Sequence, residues 1–246
     1  MMKAVETAGT VTIPDRFNGP DESANGGYAC GLVAGWIKGP AQVILRRPPP
    51  LGVPLMVERI GDGVMLRQGE TTLAIATPAS IDPESPMPPS FDHAVESSAG
   101  YAGFDRHPFP SCFVCGPKRA ESGGMRIYPG QLAGGQTMAA PWIPDSDFAD
   151  GQGLVRSEFV WAALDCPTGW VTTLLPPVQK VVVLGTLAVD VHRRPAAGRR
   201  HVLVSWPIGQ QGRKFHSGAA VWSDAGDVVA VARATWIQVS TERWAK

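Results

Sequence analysis

The sequence predicts an α+β chain built twice, each half a curved antiparallel sheet wrapped around one apolar helix. Three observations carry this. The order of strand-like and helix-like runs in the first third returns in the second half, at a spacing of roughly 110 residues, too long for a solenoid unit. Each half holds one apolar helical run, 25–37 and 157–170. The 28 Gly and 23 Pro among 246 residues supply the turns that short antiparallel strands need. A single helix with apolar residues on all sides is buried if a sheet curls around it, which makes it the core of an α+β layer.

In order, 10–18 alternates and reads as a strand entering a loop, and Gly19–Gly27 is rich in turn formers. Tyr28–Ile37 is apolar with many small residues, as suits a helix packed closely on a sheet, and Gly39-Pro40 stops it. Strands follow at 41–46, 54–60, 64–68 and 71–77, broken at Pro48-Pro-Pro50 and at the hairpin signal Gly61-Asp-Gly63. Residues 81–124, with Pro83, Pro86, Pro88, Pro89, Pro108, Pro110 and Pro117, read as a partly extended connection. From Met125 the order recurs: a strand near 137–145, the helix 157–170, then strands 181–192, 201–207, 214–223 and 228–239. Arg193–Gly198 stands where Arg47–Gly52 stands in the first half. The expected units are therefore 1–80, a connecting segment 81–124, and 125–246.

Composition narrows function. Lys plus Arg and Asp plus Glu are 22 each, with no block of like charge, so electrostatics offers nothing to a nucleic acid or a membrane surface. The N-terminus lacks the apolar core of a signal peptide and no run is long enough to span a bilayer. A soluble, cytoplasmic protein is expected, with Cys30, Cys112, Cys115 and Cys166 as reduced thiols.

The residue that demands a reason is Asp165, one carboxylate inside an apolar helix. Burial of such a group costs several kcal/mol or forces it to take up a proton. It is either a helix-end residue satisfying local N–H groups beside Pro167, which should end or kink the helix, or a functional group. Asn25-Gly26-Gly27 starts the first helix, and Asn is a preferred cap.

Asn25–Gly35, Leu45–Gly52 and Val57–Val64 in the first half, with Pro110-Ser-Cys-Phe-Val-Cys-Gly116, Gly124–Ile127 and the 157–170 helix in the second, resemble the double hotdog arrangement of the thioesterase-like superfamily, of the acyl-CoA thioesterase II type. The resemblance covers most of the chain. It implies hydrolysis of an acyl-CoA-type thioester between two repeats, the carbonyl held by backbone N–H groups at one helix start and a carboxylate from the other helix acting on water or carbonyl. Helix N-termini offer unpaired donors to an oxyanion, and a desolvated Asp serves as general base or nucleophile.

On that pattern Asp165, Asn25, Gly26, Gly27 and Thr186 form the catalytic set, and Arg46, Arg47 and Arg193 meet CoA phosphates. Alignment by eye puts Gly35 opposite Asp165 and Arg156-Ser157 opposite Gly26-Gly27, so one of the two pseudo-symmetric sites is equipped. Ala234 stands near the position of the family's Gln, which motivates the other reading, a non-catalytic acyl-CoA or lipid-binding protein. The dehydratase pattern Asp-x4-His and the nucleophile elbow Gly-x-Ser-x-Gly are absent.

Cys112-Phe-Val-Cys115 has metal-ligand spacing, with His93 and His107 as further candidates. Neither a second such pair nor a His pair is near in sequence, so no metal and no cofactor is expected. The expected partner is the thioester, with a homo-oligomer left open.

Overall fold

The computed structural model describes residues 6–82, 84–119, 123–177 and 181–240. Residues 1–5 of the expected first unit and Pro83 of the connecting segment lie outside them. The elements run β1 (Glu6–Thr12), α1 (Gly26–Ala34), β2 (Ala41–Leu45), β3 (Pro54–Ile60), β4 (Gly63–Gln68), β5 (Thr71–Pro78) and α2 (Phe91–Ser98). They continue with β6 (Gly130–Gln131), β7 (Met138–Trp142), α3 (Ser157–Trp170), β8 (Val181–Val191), β9 (His201–Gln211), β10 (Lys214–Ser223) and β11 (Val228–Val239).

The strands form one antiparallel sheet in the order β1-β3-β4-β5-β2-β8-β11-β10-β9-β7-β6. Its two halves meet where β2 pairs with β8, from Ala41 opposite Val189 to Ile44 opposite Thr186. Alternation sets what faces inward: on β3, Leu55 and Val57 are fully buried while Met56 between them is 44% exposed. Residues of α1 and α3 share one apolar core with the inward positions of both halves. Among the described residues no helix is long and apolar enough to cross a membrane.

The helices pack on each other through glycine. A Cβ on Gly31 would stand 2.6 Å from the Glu158 Cα and 2.9 Å from the Trp161 Cβ, and one on Gly27 would stand 2.7 Å from the Trp161 carbonyl oxygen. Only bare backbone admits α3 that closely. Thr168 then anchors α3 to the sheet: its hydroxyl donates to the Asp165 carbonyl at 2.6 Å and accepts from Trp236 Nε1 at 2.9 Å, and its carbonyl accepts from Ser217 Oγ at 2.7 Å.

The duplication is visible in matched hydrogen bonds. Asn25 N donates to Phe17 O and Arg156 N to Phe148 O; Ala24 N donates to Pro49 O and Val155 N to Pro195 O. Gly52 and Gly198, both at positive φ, donate to Ile13 O and Pro144 O. These pairs set the correspondence of the helices. Asn25 matches Arg156, so Asp165 matches Ala34 rather than Gly35, and Glu158 rather than Ser157 stands where Gly27 does.

Four local expectations need correction. The connecting segment holds a helix, α2: past Pro89, Ser90 Oγ accepts the His93 N–H at 3.2 Å and caps it, a signal submerged in the flanking prolines. It covers the outer face of the second half, burying Ala94 among Ala139, Val202 and Val204. For that reason β9 begins as a continuously buried run instead of alternating. Pro167 does not end α3, which continues to Trp170. Nor does Pro207 end β9, because it falls at a register shift opposite Ser217, where a missing donor is tolerated. The first strand is Glu6–Thr12 rather than 10–18, because Asp15–Phe17 turns into a short 3-10 helix after Pro14.

Candidate functional site

The site grows from the first turn of α1. Asn25 is extended, and its Oδ1 accepts the Tyr28 N–H at 2.9 Å, which caps the helix. This leaves its amide nitrogen facing α3. Asn25 Nδ2 donates to Asp165 Oδ2 at 3.0 Å, and the Gly27 N–H donates to the same oxygen at 2.8 Å. Asp165 Oδ1 is buried without a hydrogen-bond partner among the described residues.

Asp165 is 2% exposed and the one charged residue type in the buried core of the described residues. Burial pushes its pKa up to about 7, while the Gly27 and Asn25 hydrogen bonds pull the other way. The carboxylate therefore lies over the N-terminus of the opposite helix, held by one oxygen.

The structure brings Asp165, Asn25 and Gly27 together. Gly26 lies beside them, where a Cβ would meet Leu184 Cδ2 at 2.9 Å and Leu45 Cδ1 at 3.4 Å. Thr186 does not join them. It pairs with Thr235 on the outer face of the sheet, where it lines a cavity of about 260 Å³ with Gln42, Ala188, His216 and Arg233. The register shift at Gly185 turns Leu184 inward toward Gly26, so the helper position nearest the α1 N-terminus is apolar. Ala234 lies inward and buried opposite Leu187 and brings no amide.

Arg46 and Arg47 leave β2 just after Leu45, at the Gly26 end of α1, and both side chains are exposed. Arg193 is separated from them by the duplication. It occupies the place of Arg47 in the second half, where its guanidinium pairs with Asp227 at 2.7 Å, beside a loop that meets the N-terminus of α3.

Sequence reasoning missed what adjoins the carboxylate. Asn25 Nδ2 lies 3.9 Å from Cys112 Sγ and 3.8 Å from Cys166 Sγ, and the sulfurs of Cys112, Cys115 and Cys166 lie within 4.8 Å of one another. The available signal was the position of Cys166 directly after Asp165. Cys30, buried in α1, is apart from this group and its thiol is pushed well up by burial.

No family model matches the sequence, and no curated protein matches it. Solved structures do. A tesB protein of Mycobacterium avium subspecies paratuberculosis aligns at TM-score 0.63 and 12% identity, covering 96% of each chain. A candidate thioesterase II from Thermobifida fusca aligns at 0.62 and 14%, also over 96% of each. A conserved hot dog fold protein of unknown function from Alicyclobacillus acidocaldarius aligns at 0.54 and 12% over the same shares. At these identities the likeness speaks for architecture. One sheet wraps two antiparallel-packed helices from repeated halves: the chain has the double hotdog fold.

Proposed function

We propose that this chain hydrolyses an acyl thioester of the acyl-CoA type at the N-terminus of α1, with Asp165 as general base or nucleophile. The observation that carries the reading is the one-sided hold on Asp165: Oδ2 sits on the Gly27 and Asn25 donors, and Oδ1 is buried without a partner among the described residues. A carboxylate required only to join two helices would have both oxygens satisfied.

In the reaction the thioester carbonyl takes the Gly27 N–H, at the positive end of the α1 dipole, and Asp165 yields that donor to it. Asp165 then takes a proton from the attacking water, or attacks the carbonyl carbon itself to give a mixed anhydride that water afterwards cleaves, releasing the acid and restoring the carboxylate. Collapse of the tetrahedral intermediate breaks the C–S bond, and the departing thiolate takes up a proton. In this reading Arg46 and Arg47, which are exposed, meet the phosphates of a CoA-like carrier. The units of this reading are residues 1–80 and 125–246, joined by 81–124. The likeness of fold to a tesB protein and a candidate thioesterase II supports it.

Asp165→Asn keeps the size and one acceptor, so it should fold with unchanged circular dichroism and lose about 10²–10⁴-fold in turnover. Undiminished thiol release by that variant sinks the assignment. A second reading, a thioester-binding protein without turnover, is favoured by the engagement of both donors by Asp165 itself and by Ala234 in place of an amide helper. A panel of short, long and aromatic acyl-CoAs separates the two, since binding without thiol release belongs to the second.

A further inference from the structure

We propose that Cys112, Cys115 and Cys166 form a three-thiolate site for a thiophilic d10 cation of the Zn²⁺ class, which ties the connecting segment to α3 next to Asp165. The sequence offered two ligands at Cys-x2-Cys spacing. The fold adds a third from 51 residues away on α3, Cys166, with its sulfur 3.8 Å from Cys112 Sγ, while Cys115 Sγ is 3.7 Å from Cys112 Sγ. Thiolates about 2.3 Å from a zinc ion at tetrahedral angles stand about 3.8 Å apart. All three residues are buried.

Thiols in plain contact approach as closely, so spacing alone does not decide. The donors do. The Trp170 indole N–H points at Cys115 Sγ at 3.5 Å, and Asn25 Nδ2 approaches the sulfurs of both Cys112 and Cys166. His107 Nε2 lies 3.3 Å from Cys115 Sγ; its Nδ1 accepts the Phe109 N–H at 2.9 Å, which leaves the ring proton on Nε2. His107 is thus a donor to sulfur and not a fourth ligand.

Three thiolates around a divalent cation carry one net negative charge, and converging N–H donors are what such a group requires. Neutral thiols, weak acceptors packed in a core, do not. The turn is built to the same end. Gly116 N donates to Cys112 O at 2.9 Å, and a Cβ on Gly116 would stand 2.5 Å from both Cys112 N and Pro110 O, so the Cys-Phe-Val-Cys-Gly knuckle closes only around glycine. Binding replaces three S–H protons by three S–metal bonds, with release of the protons and no change of oxidation state.

The test uses the full, reduced chain. Purified from zinc-supplied cells and dialysed, it should retain about one zinc per chain. Titration with Co²⁺ alone should give thiolate-to-cobalt charge-transfer absorption, and Zn²⁺ should raise the thermal midpoint and protect three of the four thiols from a thiol reagent. Cys112→Ser and Cys166→Ser should each lower retained zinc about tenfold or more, and Cys30→Ser should leave it unchanged. Failure of the reduced wild-type chain to retain zinc, take up Co²⁺ or gain thiol protection overturns the proposal, even if a variant does not fold. Recovery of Cys112 and Cys166 as a disulfide with no metal uptake also overturns it. Metal content is read independently of thiol release, so this proposal and the hydrolytic reading fail separately.

Discussion

At the level of single residues, Asp165 was conspicuous because a carboxylate in an apolar helix is costly; Asn25 and Gly27 entered the catalytic set through the resemblance, as cap and carbonyl donor, and the structure has both donating to Asp165 itself. Thr186 was misplaced for a definite reason. The register shift at Gly185 exchanges the faces of β8, and an isolated glycine in a strand hints at a bulge without fixing which face the following residues take. His201 was not noticed at all. It is 4% exposed, its Nδ1–H donates to Arg199 O at 2.9 Å, and it tilts against Trp142. Burial lowers its pKa, with Arg193 acting in the same direction and the Arg199 carbonyl and Asp224 opposing.

The unfolded chain therefore binds a proton at this site more readily than the folded one. Stability from His201 is fully present above its unfolded value of about 6.5 and is lost as pH falls through the lower folded value. In urea unfolding the midpoint should drop between about pH 7 and pH 5, and His201→Gln should flatten that slope. An unchanged slope in the variant would assign the pH dependence elsewhere.

At the level of elements, the helices were legible and their contact was not. The small residues of α1 suggested close packing on a sheet, but the sites that need glycine face α3: Gly27 and Gly31 lie one turn apart, against Trp161 and Glu158. Helix propensity favours Ala over Gly by about 1 kcal/mol. Overpacking against α3 backbone costs about 1–3 kcal/mol. Gly31→Ala should therefore be net destabilising in urea unfolding, while Gly151→Ala, with nothing within 4 Å of the added carbon, should stay within about 0.5 kcal/mol of wild type. A stabilised Gly31→Ala protein would mean that α1 and α3 are less closely apposed than described. Pro167 belongs to the same lesson: Thr168 bonds the Asp165 carbonyl and holds α3 to the sheet through Trp236 and Ser217, so the helix persists past a residue that usually stops one.

For the whole molecule, the β2–β8 pairing and a core shared by α1, α3 and both sheet halves make the two repeats one mechanical unit. Unfolding should accordingly give a single coincident transition by tryptophan fluorescence and far-ultraviolet circular dichroism. Two separated transitions would show that the halves fold independently despite the joint. The duplicated order, the two helices, most strand positions and the isolated carboxylate were determined by the sequence itself, because periodicity, turn residues and the cost of a buried charge act locally. Tertiary structure alone decided which face Thr186 takes, that Arg193 pairs with Asp227 away from Arg46 and Arg47, and that Cys166 meets Cys112 and Cys115. Those facts depend on register and on contacts between distant segments, and only the closing of the sheet around α1 and α3 fixes either.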